Sequence, residues 1–146
     1  MTRYAYRLET RKVKEPDFKY DHATNLASPE NVADFAKSLQ DSDVEKFLVL
    51  HLSGKNRLIC IQIYPGTIGS TVVYPREVIK HSLLSGATAM ILVHNHPSGS
   101  GNFSNHDIRL TTQMSKACAL IGITLFDHIL IHDNKYTSMR SKGEMP

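Results

Sequence analysis

Residues 87–107 read ATAMILVHNHPSGSGNFSNHD. The stretch opens on a short continuous apolar run, Ala87–Val93, which is typical of a strand buried in the middle of a sheet. A loop rich in Gly and Ser follows, and Ser104 then begins a helix that we predict to extend to about Ile121, where Gly122 stops it. A buried strand, a loop and a helix in this order predict a sheet covered by helices.

The rest of the chain alternates between strand and helix patterns. The predicted elements are a strand over Tyr4–Val13, a helix that begins at Ser28-Pro29-Glu30 and ends near Asp41, a hairpin of strands over Lys46–Leu52 and Leu58–Ile63, a helix from Pro75 to Gly86, a strand over Ile123–Ile131 and a short last strand over Tyr136–Met139. In the second helix, the apolar residues expected to face the core are Val78, Ile79, Leu83 and Leu84. Interleaved strands and helices predict an α/β fold, with a mixed β-sheet flanked by helices.

The length of the chain fits one domain. At 146 residues a second independent core is not expected, so we predict a single domain over residues 1–146, with its core at about residues 28–138. No apolar run approaches the roughly 18 residues that cross a bilayer, and the N-terminus lacks the pattern of a secretory signal. We therefore expect a cytoplasmic protein with no membrane partner, in which Cys60 and Cys118 are buried free thiols.

A net charge of +3 says little by itself about binding partners. Basic residues gather near both ends of the chain, at Arg3, Arg7, Arg11, Lys12 and Lys14 and at Lys135, Arg140 and Lys142. A surface formed by both groups could meet the phosphates of DNA. The competing interpretation is a solvated surface on which acidic residues are interspersed.

Three residues of the opening stretch form a set of metal ligands. His94 and His96 are two residues apart at the end of the predicted strand, so their side chains point to the same side. Asp107 lies in the first turn of the next helix, and the loop is long enough for that turn to fold back over the strand end. Two imidazole nitrogens and one carboxylate are a common set for catalytic zinc, which keeps its fourth position open for water.

Each part of this set has a simpler explanation. Ser104 and Asp107 have the spacing of a capping box, which by itself predicts only a helix start, although one turn can both cap a helix and present a ligand. Strand-end histidines are often structural or exposed. The letters His94-Asn95-His96 also invite comparison with HNH nucleases, but three adjacent residues are too few to carry it.

The complete pattern is more specific than its parts. His-x-His-Pro, six residues, Ser, two residues and Asp is the JAMM signature, and residues 94–107 match its fixed positions. Together with Tyr74-Pro75-Arg76-Glu77 and Asp127-His128-Ile129-Leu130, the segment resembles the JAB domain of the RadC family. The resemblance covers roughly Ser28 to Ser138.

The resemblance implies a JAB/MPN fold, related in layout to the cytidine deaminases, and a bound zinc ion. It assigns the family's metal ligands to His94, His96 and Asp107. It also implies that the Ser104 hydroxyl donates a hydrogen bond to the oxyanion that forms when water attacks a carbonyl.

JAMM enzymes also carry an upstream Glu that acts as general base. In chains similar to RadC this Glu precedes an apolar strand, a place that Glu45 occupies here. A carboxylate beside the activated water accepts its proton and passes it to the leaving amine. Glu77 is the rival, but it lies in the first turn of a predicted helix, where the helix dipole favours an acid anyway. We therefore prefer Glu45.

The resemblance leaves two classes of function open. The first is zinc-dependent hydrolysis of an amide or isopeptide bond, in a peptide or small-molecule substrate that the sequence does not identify. The second is a DNA-repair-associated, nucleic-acid-binding accessory module in which the metal site is structural. A pseudoenzyme is disfavoured by the complete ligand set, and a free sheet edge could pair two chains as a homodimer.

Two departures from the family pattern are visible. RadC proteins carry a helix-hairpin-helix-like region before the JAB domain, and the residues before Glu45 are too few for it, so we expect this chain to lack that region. The second departure is in the loop, where Ser100-Gly101-Asn102-Phe103 replaces a stretch that is usually more acidic and contains proline, and the added glycine predicts a more flexible loop. Phe103 is expected either to stack on a substrate or, more simply, to pack beside the helix start as a hydrophobic staple.

Overall fold

The computed structural model of the chain describes residues 1–66 and 72–146. In chain order, its elements are helix α1 (Pro29–Phe35), a 3-10 helix (Lys37–Asp41), strands β1 (Lys46–Leu52) and β2 (Leu58–Pro65), helix α2 (Pro75–Ser85), strand β3 (Ala89–Asn95), helix α3 (Asn105–Leu120), and strands β4 (Thr124–His132) and β5 (Lys135–Ser138). The strands form one sheet in the order β2-β1-β3-β4-β5. Only β3 and β4 pair in parallel, and the other neighbours are antiparallel. This mixed sheet with three helices confirms the predicted fold class.

Both faces of the sheet are covered by apolar packing, because successive residues of a strand point to opposite faces. One face packs against α1 and the 3-10 helix, through a cluster that includes Leu26, Val32, Leu39, Leu48, Leu50, Ile91, Val93 and Ile129. The other face packs against α2 and α3, through Phe47, Val49, Val78, Met90, Leu92, Leu110, Met114 and Cys118. His94 continues the alternation of Met90 and Leu92, so it belongs to the face covered by α3.

The β3-α3-β4 unit positions the candidate site. β3 and β4 run in the same direction, with His94 paired with Leu130. After β3, the chain makes a loop and then enters α3 at its N-cap residue, Ser104. The start of α3 and the C-terminal end of β3 therefore meet at one edge of the sheet.

The strand predicted over Tyr4–Val13 is wrong. Residues 1–15, all of which the structure describes, contain no strand and are exposed. Alternation of apolar and polar residues can indicate a strand, but a strand also needs a neighbour for its backbone N–H and C=O groups. The pattern of this segment carries no information about such a neighbour.

The first helix differs from its prediction near its C-terminal end, whereas the second agrees with its prediction. α1 ends at Phe35, and the chain continues as the 3-10 helix to Asp41. Ala36 and Leu39 are both buried, and their separation by three residues matches the 3-10 repeat. The helix predicted to start at Pro75 does so and ends at Ser85, with Gly86 as its C-cap at a φ of 70°.

The inward face of α2 was predicted only in part. Val78 is buried, but Leu83 and Leu84 are 61% and 51% exposed. Ser82 faces the sheet instead, with its hydroxyl 2.7 Å from Nδ1 of the buried His51. A buried histidine needs polar partners, so the helix turns a serine toward it.

Two predictions drawn from composition can also be compared with the structure. Both cysteines are free, but only Cys118 is buried, and Cys60 is half-buried. Burial raises the pKa of the Cys118 thiol to about 11. Within residues 1–66 and 72–146, no helix combines the length and apolar character needed to cross a membrane.

Candidate metal centre

Three side chains converge at the C-terminal end of β3. Nε2 of His94 lies 3.0 Å from Nε2 of His96 and 3.3 Å from Oδ1 of Asp107. Nε2 of His96 lies 3.3 Å from Oδ2 of Asp107. His94 is fully buried, Asp107 is 3% exposed, and His96 is partly exposed. The structure thus brings together the residues that the sequence suggested as metal ligands, with His96 on the solvent side.

Local structure holds two of these three side chains, His94 and Asp107. His94 pairs with Phe47 of β1, and the two rings stack with centroids 6.0 Å apart. Asp107 is fixed by a capping box: its N–H donates to Oγ of Ser104 at 3.1 Å, and its Oδ2 accepts the N–H of Ser104 at 2.7 Å. The capping and metal-ligand interpretations of Asp107 are therefore compatible, because the cap orients the carboxylate toward the histidines.

The distances and donor atoms fit a small divalent cation. Ligand atoms about 2.0–2.1 Å from a tetrahedral zinc ion lie about 3.3 Å from one another. Here the two Nε2 atoms are 3.0 Å apart, and each lies 3.3 Å from a different carboxylate oxygen of Asp107. One ligand atom from each residue lies within 4.8 Å of the others. Nδ1 of His96 lies 3.0 Å from the carbonyl oxygen of Ser100. Because a carbonyl only accepts, Nδ1 carries the proton, and Nε2 of His96 turns a lone pair toward the centre. The group could therefore hold a metal.

The electrostatics of the centre favour a positive charge. Burial acts to raise the pKa of the Asp107 carboxyl, but hydrogen bonds with His94 and His96 outweigh it and hold that pKa far below its usual range. The hydrogen bond with Asp107 raises the pKa of His96 against the opposing effect of burial. A proton or a metal cation is thus stabilised at the same place.

The two candidate general bases lie in different surroundings. β1 and β3 pair with Phe47 opposite His94, and continuing that register by two residues places Glu45 across from His96. The charge of Glu45 contributes to the raised pKa of His96, which agrees with this placement. Glu77 instead forms an ion pair with Lys80, with Nζ and Oε2 2.7 Å apart.

Asn95 is a site residue that sequence reasoning missed. It is 2% exposed, and its Oδ1 accepts the N–H of Lys46 at 2.7 Å, while its Nδ2 donates to the carbonyl of Val44 at 3.1 Å. These bonds extend the β1–β3 ladder by one side chain and hold the backbone on both sides of Glu45. The sequence did offer one indication of this role. Asn95 stands between His94 and His96, so its side chain points to the opposite face of the strand from theirs.

His128 and Thr111 were missed as well. Asp127, the neighbour of His128 in the sequence, accepts the backbone N–H of His128 and not a ring N–H. The His128 ring instead lies 2.8 Å from Nδ1 of His94, through Nε2, and 2.6 Å from Oγ1 of Thr111, through Nδ1. Burial lowers the pKa of His128 well below its ordinary value. Sequence spacing could not indicate this contact, because it depends on the pairing of β4 with β3.

The loop between β3 and α3 carries more contacts than its glycines predict. The carbonyl of Gly101 accepts a hydrogen bond from the Thr137 hydroxyl at 3.1 Å. A Cβ on Gly101 would lie 2.6 Å from the ring of His132, so glycine allows the close approach of loop and strand. Phe103 packs on the rings of His94 and His128, with centroids 6.0 and 5.1 Å away. The loop therefore helps to enclose the candidate metal centre.

Comparison with known proteins agrees with this geometry. Residues 26–144 match the family described as RadC-like JAB domain. The chain is 47% identical over 120 residues to a UPF0758 protein of Desulforamulus reducens, a match that covers 81% of this chain and 53% of that protein. A UPF0758 protein of Finegoldia magna is 45% identical over 118 residues, covering 80% and 53%. A third, from Methanosarcina acetivorans, is 37% identical over 141 residues, covering 95% and 58%. The chain spans about half the length of the curated relatives it matches. On these matches, the chain belongs to the family of RadC-like JAB domains.

Proposed function

We propose that this chain is a zinc-dependent hydrolase that cleaves an amide bond. The observation that carries the proposal is the group formed by His94, His96 and Asp107 at the end of β3, in which one ligand atom from each residue lies within 4.8 Å of the others. Structural zinc sites are closed by four protein ligands, whereas catalytic sites have three and keep one position open. Three protein ligands, one of them partly exposed, fit the catalytic type.

The surrounding side chains have the chemistry that amide hydrolysis requires. Bound zinc would act as a Lewis acid that activates water and polarises a carbonyl. A carboxylate oxygen of Glu45, across from His96, accepts the proton of the attacking water and delivers it to the leaving amine. Ser104 receives the N–H of Asp107 on its oxygen, which leaves its own hydroxyl proton for the oxyanion of the substrate.

The first experiment measures metal content by elemental mass spectrometry on protein purified without chelators. We expect roughly one zinc per wild-type chain, and little in His94→Ala/His96→Ala and in Asp107→Ala, because each loses ligand atoms. Absence of metal from the wild type would contradict the proposal. So would an unchanged zinc content in Asp107→Ala.

The second experiment separates metal binding from catalysis. In Glu45→Gln the metal ligands are intact, so zinc content should remain, while cleavage of a panel of peptide and isopeptide amides should fall by at least about 100-fold through loss of the general base. Glu77→Gln is the matched control, because it makes the same change in a carboxylate that is paired with Lys80. Full activity in Glu45→Gln, or loss of activity only in Glu77→Gln, would contradict the assigned role.

A nucleic-acid-binding accessory role is the second candidate. The exposed segment of residues 1–15 carries five basic residues and supports it. Residues 10–15 line a groove with β2, however, whereas Lys135 begins β5 at the opposite edge of the sheet. Lys135 and residues 10–15 thus lie at opposite edges of the sheet. Salt-dependent DNA binding that survives His94→Ala/His96→Ala and disappears on neutralising the N-terminal group would favour this role.

A further inference from the structure

A chain of buried hydrogen bonds connects two of the candidate metal ligands from behind. Oγ1 of Thr111 lies 2.7 Å from the carbonyl oxygen of Asp107 and 2.6 Å from Nδ1 of His128. Nε2 of His128 lies 2.8 Å from Nδ1 of His94. Thr111, His128 and His94 are each fully buried. This series of hydrogen bonds thus begins at the backbone carbonyl of Asp107 and ends at the imidazole of His94.

Only one arrangement of the protons makes all three of these contacts hydrogen bonds while both imidazoles are uncharged. The Thr111 hydroxyl has a single proton, and the carbonyl of Asp107 can only accept, so the proton lies on that bond. The Thr111 oxygen must then accept from His128, which places a proton on Nδ1 of His128. Both ring nitrogens of His128 meet uncharged partners, so a second proton would leave a buried charge with no anion bonded to the ring. Nε2 of His128 is therefore an acceptor.

The same arrangement of protons determines which nitrogen of His94 carries a proton. Because Nε2 of His128 accepts, Nδ1 of His94 must donate, and Nε2 of His94 is left with a lone pair. That is the atom that lies 3.0 Å from His96 and 3.3 Å from Asp107. We propose that Thr111 and His128 are positioning residues that hold His94 in the tautomer whose Nε2 can bind the metal. The inference rests on the proposed metal centre.

Packing alone would not select this tautomer. The His128 ring is held between Phe47 and Phe103, with centroid distances of 5.7 and 5.1 Å, so its position does not depend on Thr111. Aromatic contacts are nearly the same for both tautomers of an imidazole. The Thr111 hydroxyl is the group that distinguishes them. Without it, a proton on Nδ1 of His128 has no acceptor, and the opposite tautomer, which donates to His94 through Nε2, becomes favoured.

The test compares zinc affinity, measured by competition with a chromophoric chelator, in three threonine variants. Thr111→Val keeps the shape of the side chain and removes the hydroxyl, so we expect zinc to bind about 10–100-fold more weakly. Thr111→Ser keeps the hydroxyl and should bind within about threefold of the wild type. Thr112→Val is the matched control, because Thr112 makes the same bond to the carbonyl four residues earlier, at 2.8 Å, on the exposed side of α3. Equal affinities in Thr111→Val and Thr112→Val would overturn the proposal.

A second measurement reads the proton positions directly. Nitrogen-15 NMR of the metal-free protein should show the His94 proton on Nδ1 in the wild type and in Thr112→Val, and on Nε2 in Thr111→Val. A wild-type proton on Nε2 of His94 would overturn the inference even if zinc binds. Failure of the wild type to bind zinc, with the proton on Nδ1, would instead overturn the proposed function and leave the proton arrangement supported. Unchanged circular dichroism of Thr111→Val is required, and Thr111→Ser provides the rescue if that variant misfolds.

Discussion

The histidines of this chain differ in role because their ring nitrogens meet different partners. His94 and His96 each turn one nitrogen toward Asp107. His51 has both nitrogens occupied by neutral groups, with Ser82 and Gln62 each 2.7 Å away. An imidazole bound in this second way is structural, and it is stable only while it stays uncharged.

His51 should make stability depend on pH. Burial, assisted by the nearby charge of His81, lowers the pKa of His51 to about 4, although the bond to Gln62 opposes the shift. The unfolded chain, with a His pKa near 6.5, binds more protons than the folded chain between these values, so stability is full above about pH 6.5 and is lost as the pH falls toward about 4. The loss attributable to His51 is on the order of 3 kcal/mol.

Urea unfolding of the wild type and of His51→Gln at several pH values between about 7 and 4 measures this effect. The variant keeps polar atoms for Ser82 and Gln62 but cannot titrate, so its unfolding free energy should fall less with acid. The other histidines titrate in both proteins, so their contribution cancels in the difference between the two unfolding free energies. Parallel pH profiles for the two proteins would show that His51 is not responsible.

At the scale of elements, the site depends on the hydrogen bonds and packing contacts that hold the strand ends and loops in place. Asn95 replaces missing ladder bonds at the end of β1, and the loop before α3 is fastened to β4 and β5 through His132 and Thr137. His94 and Asp107 lie on regular elements, but His96 and the candidate general base, Glu45, lie just outside them. Substitutions of the residues that make these contacts should therefore affect activity and stability differently.

Asn95→Ala should impair catalysis more than metal binding. It leaves the N–H of Lys46 and the carbonyl of Val44 without their partner, which costs about 1–3 kcal/mol of unfolding free energy. Glu45, between those two residues, loses its fixed position, so amide cleavage should fall at least about tenfold while zinc content stays unchanged. Asn105→Ala, which alters an exposed side chain at the start of α3, is the control. Loss of zinc in Asn95→Ala would contradict this division of roles.

Gly101→Ala should destabilise the loop by overpacking. The added Cβ would lie 2.6 Å from the His132 ring, which is itself bound to Thr137 at 2.8 Å, so we expect a loss of about 1–3 kcal/mol in chemical unfolding. Gly54→Ala is the benign control, because its Cβ would meet only Thr88 Oγ1 at 3.8 Å.

The cause of the Gly101 effect can be checked with a double-mutant cycle. His132→Ala removes the obstacle, so Gly101→Ala should cost much less in that background, with a coupling energy of about 1 kcal/mol or more. Additive effects of the two substitutions would mean that the clash with His132 is not the cause.

At the scale of the whole molecule, the candidate metal centre lies at the edge of a fold that is stabilised elsewhere. Apolar clusters cover both faces of the sheet, and together they span all three helices and strands β1, β3 and β4. A chain of this size can fold on such a core without a metal. The metal-free protein should therefore remain folded by circular dichroism.

Zinc should nevertheless raise the melting temperature. Zinc at about 100 times its dissociation constant adds about 2.7 kcal/mol to the unfolding free energy, which corresponds to roughly 5–10 °C for a chain of this length. His94→Ala/His96→Ala should show no such shift under the same conditions. A metal-free protein without a cooperative melting transition would contradict this view and make the metal a structural requirement.

Local sequence patterns determined most of the elements and the identity of the candidate ligands. The ends of α2 and α3 follow from Pro75, Gly86 and Ser104, whose caps and turns act on their nearest neighbours. His94, His96 and Asp107 could be proposed as a group because they lie in one strand, one loop and one helix turn that are consecutive in the chain. Such short-range relations are visible without the fold.

Tertiary structure alone decided which distant residues serve the site. The contact of His128 with His94 depends on the pairing of β4 with β3. The register of β1 against β3 pairs Phe47 with His94, so Glu45 and His96 each follow two residues beyond that pair. The failed strand at residues 4–13 likewise depended on a pairing that the segment itself does not specify. Pairing is set by burial of the two sheet faces and by backbone hydrogen bonds between segments far apart in the chain. A single sequence records the residues that can make those bonds, but the partner that each one meets is decided only when the sheet assembles.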